Sequence, residues 1–318
     1  MTNIEFQIKL ITPLLIHGAD SGELDNMGLT GKALRGCWRF WFRAIVGGLL
    51  NDLNPEQIYK RESEIFGSAD EDVGAKFKLL VEPIRELETG SYSIKFSRKK
   101  INFIGYKEGT EFKITIIPKK DYSENQKNVL LATIWTWANL GAVGQRARRG
   151  FGSVVIKNST RRIFPNGLSI KAYFSNCDEL TKHLQKGFCE VQDIFIKWLG
   201  SGIAQKKTGV PQDAEYFILQ SFDQIKVADI PIKTLDGALN KVHGSDRCKS
   251  LGWIRNGRMA SPVYTRFHIV NNQYLPIITF CHQKVNGFPN FNDFLNCLHA
   301  YMYGRQCAHR VSFPNIGF

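Results

Sequence analysis

Residues 140–156, "LGAVGQRARRGFGSVVI", set Arg146, Arg148 and Arg149 among Gly144, Gly150 and Gly152. Arginine carries a planar, permanently charged fork of N–H donors that matches phosphate oxygens and base edges. Glycine admits backbone with φ > 0 and lets a ligand come close to main-chain N–H groups. Together these residue types suit a loop that grips a nucleic-acid backbone. They do not make a nucleotide-hydrolysis loop. Before the Gly31-Lys32 pair, Asn26 stands where a Walker A requires glycine, and Ala33 follows where it requires serine or threonine.

The formal net charge of +13 is concentrated in three windows. Residues 28–50 carry Lys32, Arg35, Arg39 and Arg43, and residues 95–107 carry Lys95, Arg98, Lys99, Lys100 and Lys107. Residues 141–162 add Lys157, Arg161 and Arg162 to the three loop arginines. None of these windows contains an acid, so the rest of the chain is close to neutral. A basic excess confined to three segments is the footprint of a polyphosphate partner rather than a general solubility device.

Other chemistry is weaker. Cys297, His299, Cys307 and His309 are zinc-ligand types, but "FNDFLNCLHAYM" reads as a helix on which Cys297 and His299 point about 200° apart. No metal site and no cofactor is expected. Seven cysteines without a CxxC pair fit a reducing, cytoplasmic setting better than a disulfide framework. The opening residues lack a basic n-region and break at Pro13, unlike a secretion signal. The uncharged run 128–145 is interrupted by Asn128, Thr133, Thr136 and Asn139 and is too short for a bilayer of about 30 Å, so no membrane contact is expected.

Periodicity supplies the elements that must hold these residues. "EFQIKLIT" (5–12) alternates as a half-buried strand. From Thr30, a good N-cap, the segment to residue 50 reads as a helix with Leu34, Trp38, Trp41, Ile45 and Leu49 in one stripe. Lys32, Arg35, Arg39 and Arg43 form a cationic ridge beside it. Strands follow at 76–84 and 111–119, with "SYSIKF" as an extra strand or long hairpin between them. A second helix spans about 124–140 with Gly141 as its C′ residue, then come the loop and the strand "GSVVI".

This order, β-α-β-β-α-β, is ferredoxin-like, and the arginine loop joins its second helix to its last strand. The second half carries a strand at 168–175, a helix at 178–199, a hairpin at 263–283 turning on Asn271-Asn272, a helix at 290–303 and a strand near 310–313. Residues 201–214 and 224–257 read as loops inserted into that plan. The expectation is an α+β protein of two tandem ferredoxin-like, RRM-like domains, residues 1–160 and 161–318.

In order and spacing, "LITPLLIHGAD", "LTGKALRGCWRFWFRA", "SEIFGS" (63–68) and "LGAVGQRARRGFGSV" resemble the N-terminal domain of RAMP proteins from type III-B CRISPR effector complexes. "GRMASPVYTRFHI" (257–269) resembles a strand motif of their second domain and brings in Arg258. The resemblance implies a non-catalytic subunit of an RNA-guided ribonucleoprotein. Such a subunit contacts single-stranded guide or target RNA near the end distant from the guide's 5′ tag, and touches other RAMP subunits. It maps the family's basic helix onto Lys32, Arg35, Arg39 and Arg43, and its glycine-rich loop onto Gly144 through Gly152. The alternative is a metal-independent RAMP endoribonuclease that matures guide RNA, with His17 as the one attractive general acid or base. A scaffold for protein partners alone conflicts with the localised charge.

Overall fold

The computed structural model describes residues 2–18, 23–52, 54–70, 72–96, 99–157, 163–165, 167–211, 217–243 and 263–280. The first half begins with β1 (Ile4–Leu10), whose Ile4, Phe6, Ile8 and Leu10 alternate inward. Helix α1 (Gly31–Leu49) starts at Thr30, whose side chain accepts from the Ala33 N–H. Its stripe of Leu34, Trp38, Trp41, Ile45 and Leu49 is fully buried, as its spacing predicts.

Helix α2 (Pro55–Phe66) follows, capped by Asn54 with Pro55 in its first turn. The sequence reading places no helix there. Next come β2 (Phe77–Pro83), the hairpin β3 (Thr89–Phe96) and β4 (Lys99–Tyr106), and β5 (Glu111–Pro118). Helix α3 (Glu124–Leu140) opens with a reciprocal capping box between Ser123 and Gln126 and leads to β6 (Val154–Ile156). In space the strands run β2-β5-β1-β6, all antiparallel, with β3-β4 as a separate two-stranded ribbon.

Gly141 departs from expectation. It caps α3 at φ −110°, in extended backbone rather than the left-handed form of a C′ glycine. Its need is for space, since a Cβ there would lie 2.3 Å from the Trp41 indole nitrogen.

The second half holds β7 (Tyr173–Phe174), α4 (Cys177–Leu199), β8 (Ile225–Val227), α5 (Leu235–His243) and the hairpin β9 (Val263–Val270) and β10 (Gln273–Phe280). The hairpin turns on Asn271 and Asn272, at φ 47° and 56°, as their type predicts. The strand order β7-β9-β10-β8 corrects two expectations. The segment 168–175 contributes only Tyr173 and Phe174, paired parallel to β9 at the sheet edge. The far edge of β10 is taken by β8, from a stretch read as inserted loop. Three residues are too few to show alternation, and only the open edge of β10 makes them a strand.

The helix at 290–303 and the strand near 310–313 lie outside the described residues. The protein is mixed α+β, with five α-helices among the described residues. Its buried core runs without a break from the first sheet through α3 and α4 to the second. At one crossing the absent side chain of Gly187 on α4 makes room for Trp135 on α3. No described helix is long and apolar enough to cross a membrane.

Candidate nucleic-acid interface

The arginine loop is anchored on two sides. Toward β1, Thr12 Oγ1 donates to the Gly150 carbonyl at 2.6 Å, Gly152 N–H donates to the Pro13 carbonyl at 2.8 Å, and Gln145 N–H donates to the Leu15 carbonyl. Toward β9, Thr265 N–H donates to the Arg148 carbonyl at 3.2 Å and Phe267 N–H to Ser153 Oγ at 3.2 Å. Gly144, Gly150 and Gly152 all have positive φ, as expected. The surface they leave bare faces the protein itself. Added Cβ atoms would lie 2.5 Å from the Leu15 carbonyl oxygen, 2.3 Å from the Phe267 ring and 1.8 Å from the Val143 carbonyl oxygen. The glycines fit the loop against its own supports, and the loop's three arginines are half-buried beside them.

Each loop arginine rests on an aromatic ring or pairs with a strand. The Arg146 guanidinium carbon lies 4.4 Å from the Phe103 centroid on β4. Arg148 lies 5.4 Å from Phe40 on α1 and 5.8 Å from Tyr264 on β9. Arg149 bridges to Thr265. Stacking on a ring holds a guanidinium plane in one orientation and lowers the freedom lost on binding.

Behind the loop, β9 carries a fully buried arginine. Arg266 donates through Nη2 to the Val154 carbonyl at 2.6 Å and through Nε to the Phe267 carbonyl, and burial lowers its pKa to about 9. Two residues on, His268 Nε2 donates to the Asn139 carbonyl at 2.9 Å, and burial holds its pKa well below the ordinary histidine value. On the α5 side, burial lowers the pKa of His243 to about 3, with Arg149 and Arg146 adding to the effect.

The α1 ridge is built differently. Arg39 and Arg43 both hold Glu62 of α2, whose side chain is only 1 % exposed. Arg43 Nη1 reaches the two carboxylate oxygens at 3.1 and 3.0 Å. Arg35 lies over the Phe77 ring, and burial and the neighbouring Arg39 lower its pKa. Lys32 stands in solvent. Arg35 and Arg39 also line a cleft of about 520 Å³ against the turn 67–75, with Tyr59, Ser68 and Asp70 on the other side.

Sequence reasoning missed Glu62. Its signal is present, for Ile58, Glu62, Ile65 and Phe66 form the buried stripe of α2 and one member of that stripe is an acid.

The other basic residues are dispersed. Lys95 and Lys100 are exposed on the ribbon, Lys107 pairs with Glu88, and Lys157 pairs with Glu111. Arg98, Arg161, Arg162 and Arg258 lie outside the described residues, as do Cys297, His299, Cys307 and His309. Among the described residues no group of three or more metal-ligand types comes together. His17 is partly buried two residues beyond Leu15, and its Nδ1 has no hydrogen-bond partner among the described residues. The outward face of the first sheet presents Glu5, Gln7, Lys9, Lys78 and Lys113 and no aromatic ring, so it lacks the stacking residues of an RRM.

The RAMP superfamily model matches residues 7–155, from β1 to β6. The chain is 24% identical over 244 residues to the CRISPR system Cmr subunit Cmr1-1 of Pyrococcus furiosus, covering 72% of this chain and 65% of that protein. It is 25% identical over 182 residues to Cmr1-2 of the same organism, covering 48% of this chain and 94% of that one. The fold is similar to the crystal structure of apo Cmr1 from Pyrococcus furiosus, with a TM-score of 0.60, 20% identity and 88% of each chain covered. It is also similar to a chain of the type III-B Cmr-beta complex bound to cognate target RNA, with a TM-score of 0.58, 14% identity and 87% of this chain and 94% of that one covered. The two anchored regions of positive charge thus sit in the stretch that the RAMP superfamily model matches, residues 7–155, and the chain is similar in sequence and fold to the Cmr1 subunits.

Proposed function

We propose that this protein is a non-catalytic, RNA-binding subunit of a type III-B effector complex, built on two ferredoxin-like units. In this reading it holds single-stranded guide or target RNA near the end distant from the guide's 5′ tag, next to other RAMP subunits. The observation that carries the RNA reading is the set of loop arginines held on the rings of Phe103, Phe40 and Tyr264. Three elements far apart in sequence converge to orient cations on one surface, which solubility alone does not require. The similarity to Cmr1 proteins supports the assembly. The strand order β2-β5-β1-β6, with α1 and α3 as crossovers, supports the ferredoxin-like plan of the first unit.

The test is binding and integrity of labelled single-stranded RNA, with EDTA, for the full chain and for Arg146→Ala/Arg148→Ala/Arg149→Ala. Intact RNA and salt-sensitive binding are expected. The triple variant reduces the slope of log K against log salt by about 2, from about −0.7 per phosphate on single strands. An unchanged slope removes the loop from the interface. Metal-independent cutting that disappears in His17→Ala would make the protein a ribonuclease instead.

A further inference from the structure

The solvent-facing arc of α1 runs from Arg35 and Arg39, through Lys32 and Arg43, to Gly36 and Phe40. Its first edge faces the cleft beside the turn 67–75. Its other edge faces the arginine loop and has a gap. Apart from the backbone of α1 itself, no described atom outside Gly36's chain neighbours lies within 4 Å of the place a Gly36 Cβ would take, so among the described residues the helix surface there is uncovered.

Phe40 is one turn further on. Side chains on a helix lean toward its N-terminus, which turns this half-buried ring toward the gap, with every atom of it more than 4 Å from the Gly36 Cβ position. The ring packs against Phe217 and Tyr264, with centroids at 5.3 and 5.6 Å, and the Arg148 guanidinium lies 5.4 Å from it. Lys32, one turn before the gap, is exposed.

We infer that this notch is a stacking site for one unpaired nucleobase, a ligand class more specific than the phosphate backbone the ridge and loop would grip. Phe40 and Arg148 supply the flat surfaces, the absent side chain of Gly36 supplies the room, and Lys32 meets the adjoining phosphate. Aromatic rings and guanidinium planes are the surfaces on which proteins hold splayed bases. Glycine is otherwise a poor choice within a helix. The inference rests on the RNA reading above.

The experiment compares a single-stranded RNA with an abasic oligonucleotide of the same length and phosphate number, using the full chain, Gly36→Leu and Phe40→Leu. The wild-type protein is expected to bind the base-bearing strand about tenfold more tightly. Gly36→Leu fills the notch without displacing any described atom, keeps or raises the unfolding midpoint, and abolishes the preference while the salt slope stays. Phe40→Leu keeps apolar volume and loses the preference in the same way. Equal wild-type affinity for both strands overturns the notch and leaves the RNA reading standing. A preference that survives in either variant also overturns it. Failure of the wild-type protein to bind either strand brings down the RNA reading and the notch together.

Discussion

The α1 ridge and the arginine loop carry similar charge in the sequence and hold it in opposite ways. On the ridge, Arg39 and Arg43 converge on the buried Glu62, so part of their charge is balanced inside the fold and their loss would leave a carboxylate without a partner. In the loop, Arg146 and Arg148 lie on rings, which orient their guanidinium planes. A count of cations along the chain therefore overstates the field of the ridge.

The largest test of this contrast is Arg39→Ala/Arg43→Ala. Stranding Glu62 is expected to cost about 3–5 kcal/mol of stability, read by chemical denaturation, and adding Glu62→Leu should recover much of it. A double variant as stable as the wild type would mean the ridge has no structural role.

Next in size is the pH dependence set by His243, behind the loop. Its folded-state pKa of about 3 lies below its ordinary value of 6.5, so the unfolded chain takes up the proton first as pH falls. Its contribution to stability is thus fully present above pH 6.5 and declines by about 1.4 kcal/mol per pH unit below that, down to the folded pKa. His243→Gln should reduce the loss of stability between pH 7 and pH 4.5. An identical loss would remove His243 from the account. The smallest effect is expected for Lys32→Ala, whose exposed side chain leaves the unfolding midpoint unchanged while the salt slope of RNA binding falls by about 0.7.

Much of the first half is legible in the sequence because its signals are local. The Leu34-Trp38-Trp41-Ile45 stripe and the Thr30 cap there, like the Asn271-Asn272 turn of the second half, each need only a few neighbouring residues to be read. What stays hidden depends on residues far away. Glu62 matters because α2 lies against α1, β8 is a strand because β10 has an open edge, and Gly141 is a glycine because of Trp41. The loop glycines show both sides. Their positive φ follows from their type, but that they face Leu15, Val143 and Phe267 follows from the fold.

The hydrogen bond from Arg266 to the Val154 carbonyl also bears on the order in which the protein is made. The two residues are 112 positions apart, and β9 forms the wall against which the arginine loop takes its shape. At a synthesis rate of about 5–20 residues per second, that wall leaves the ribosome roughly 6–22 s after the loop. A nascent chain in that interval carries the arginines without the strand that sets them, so the loop takes its shape only once the second half has been translated.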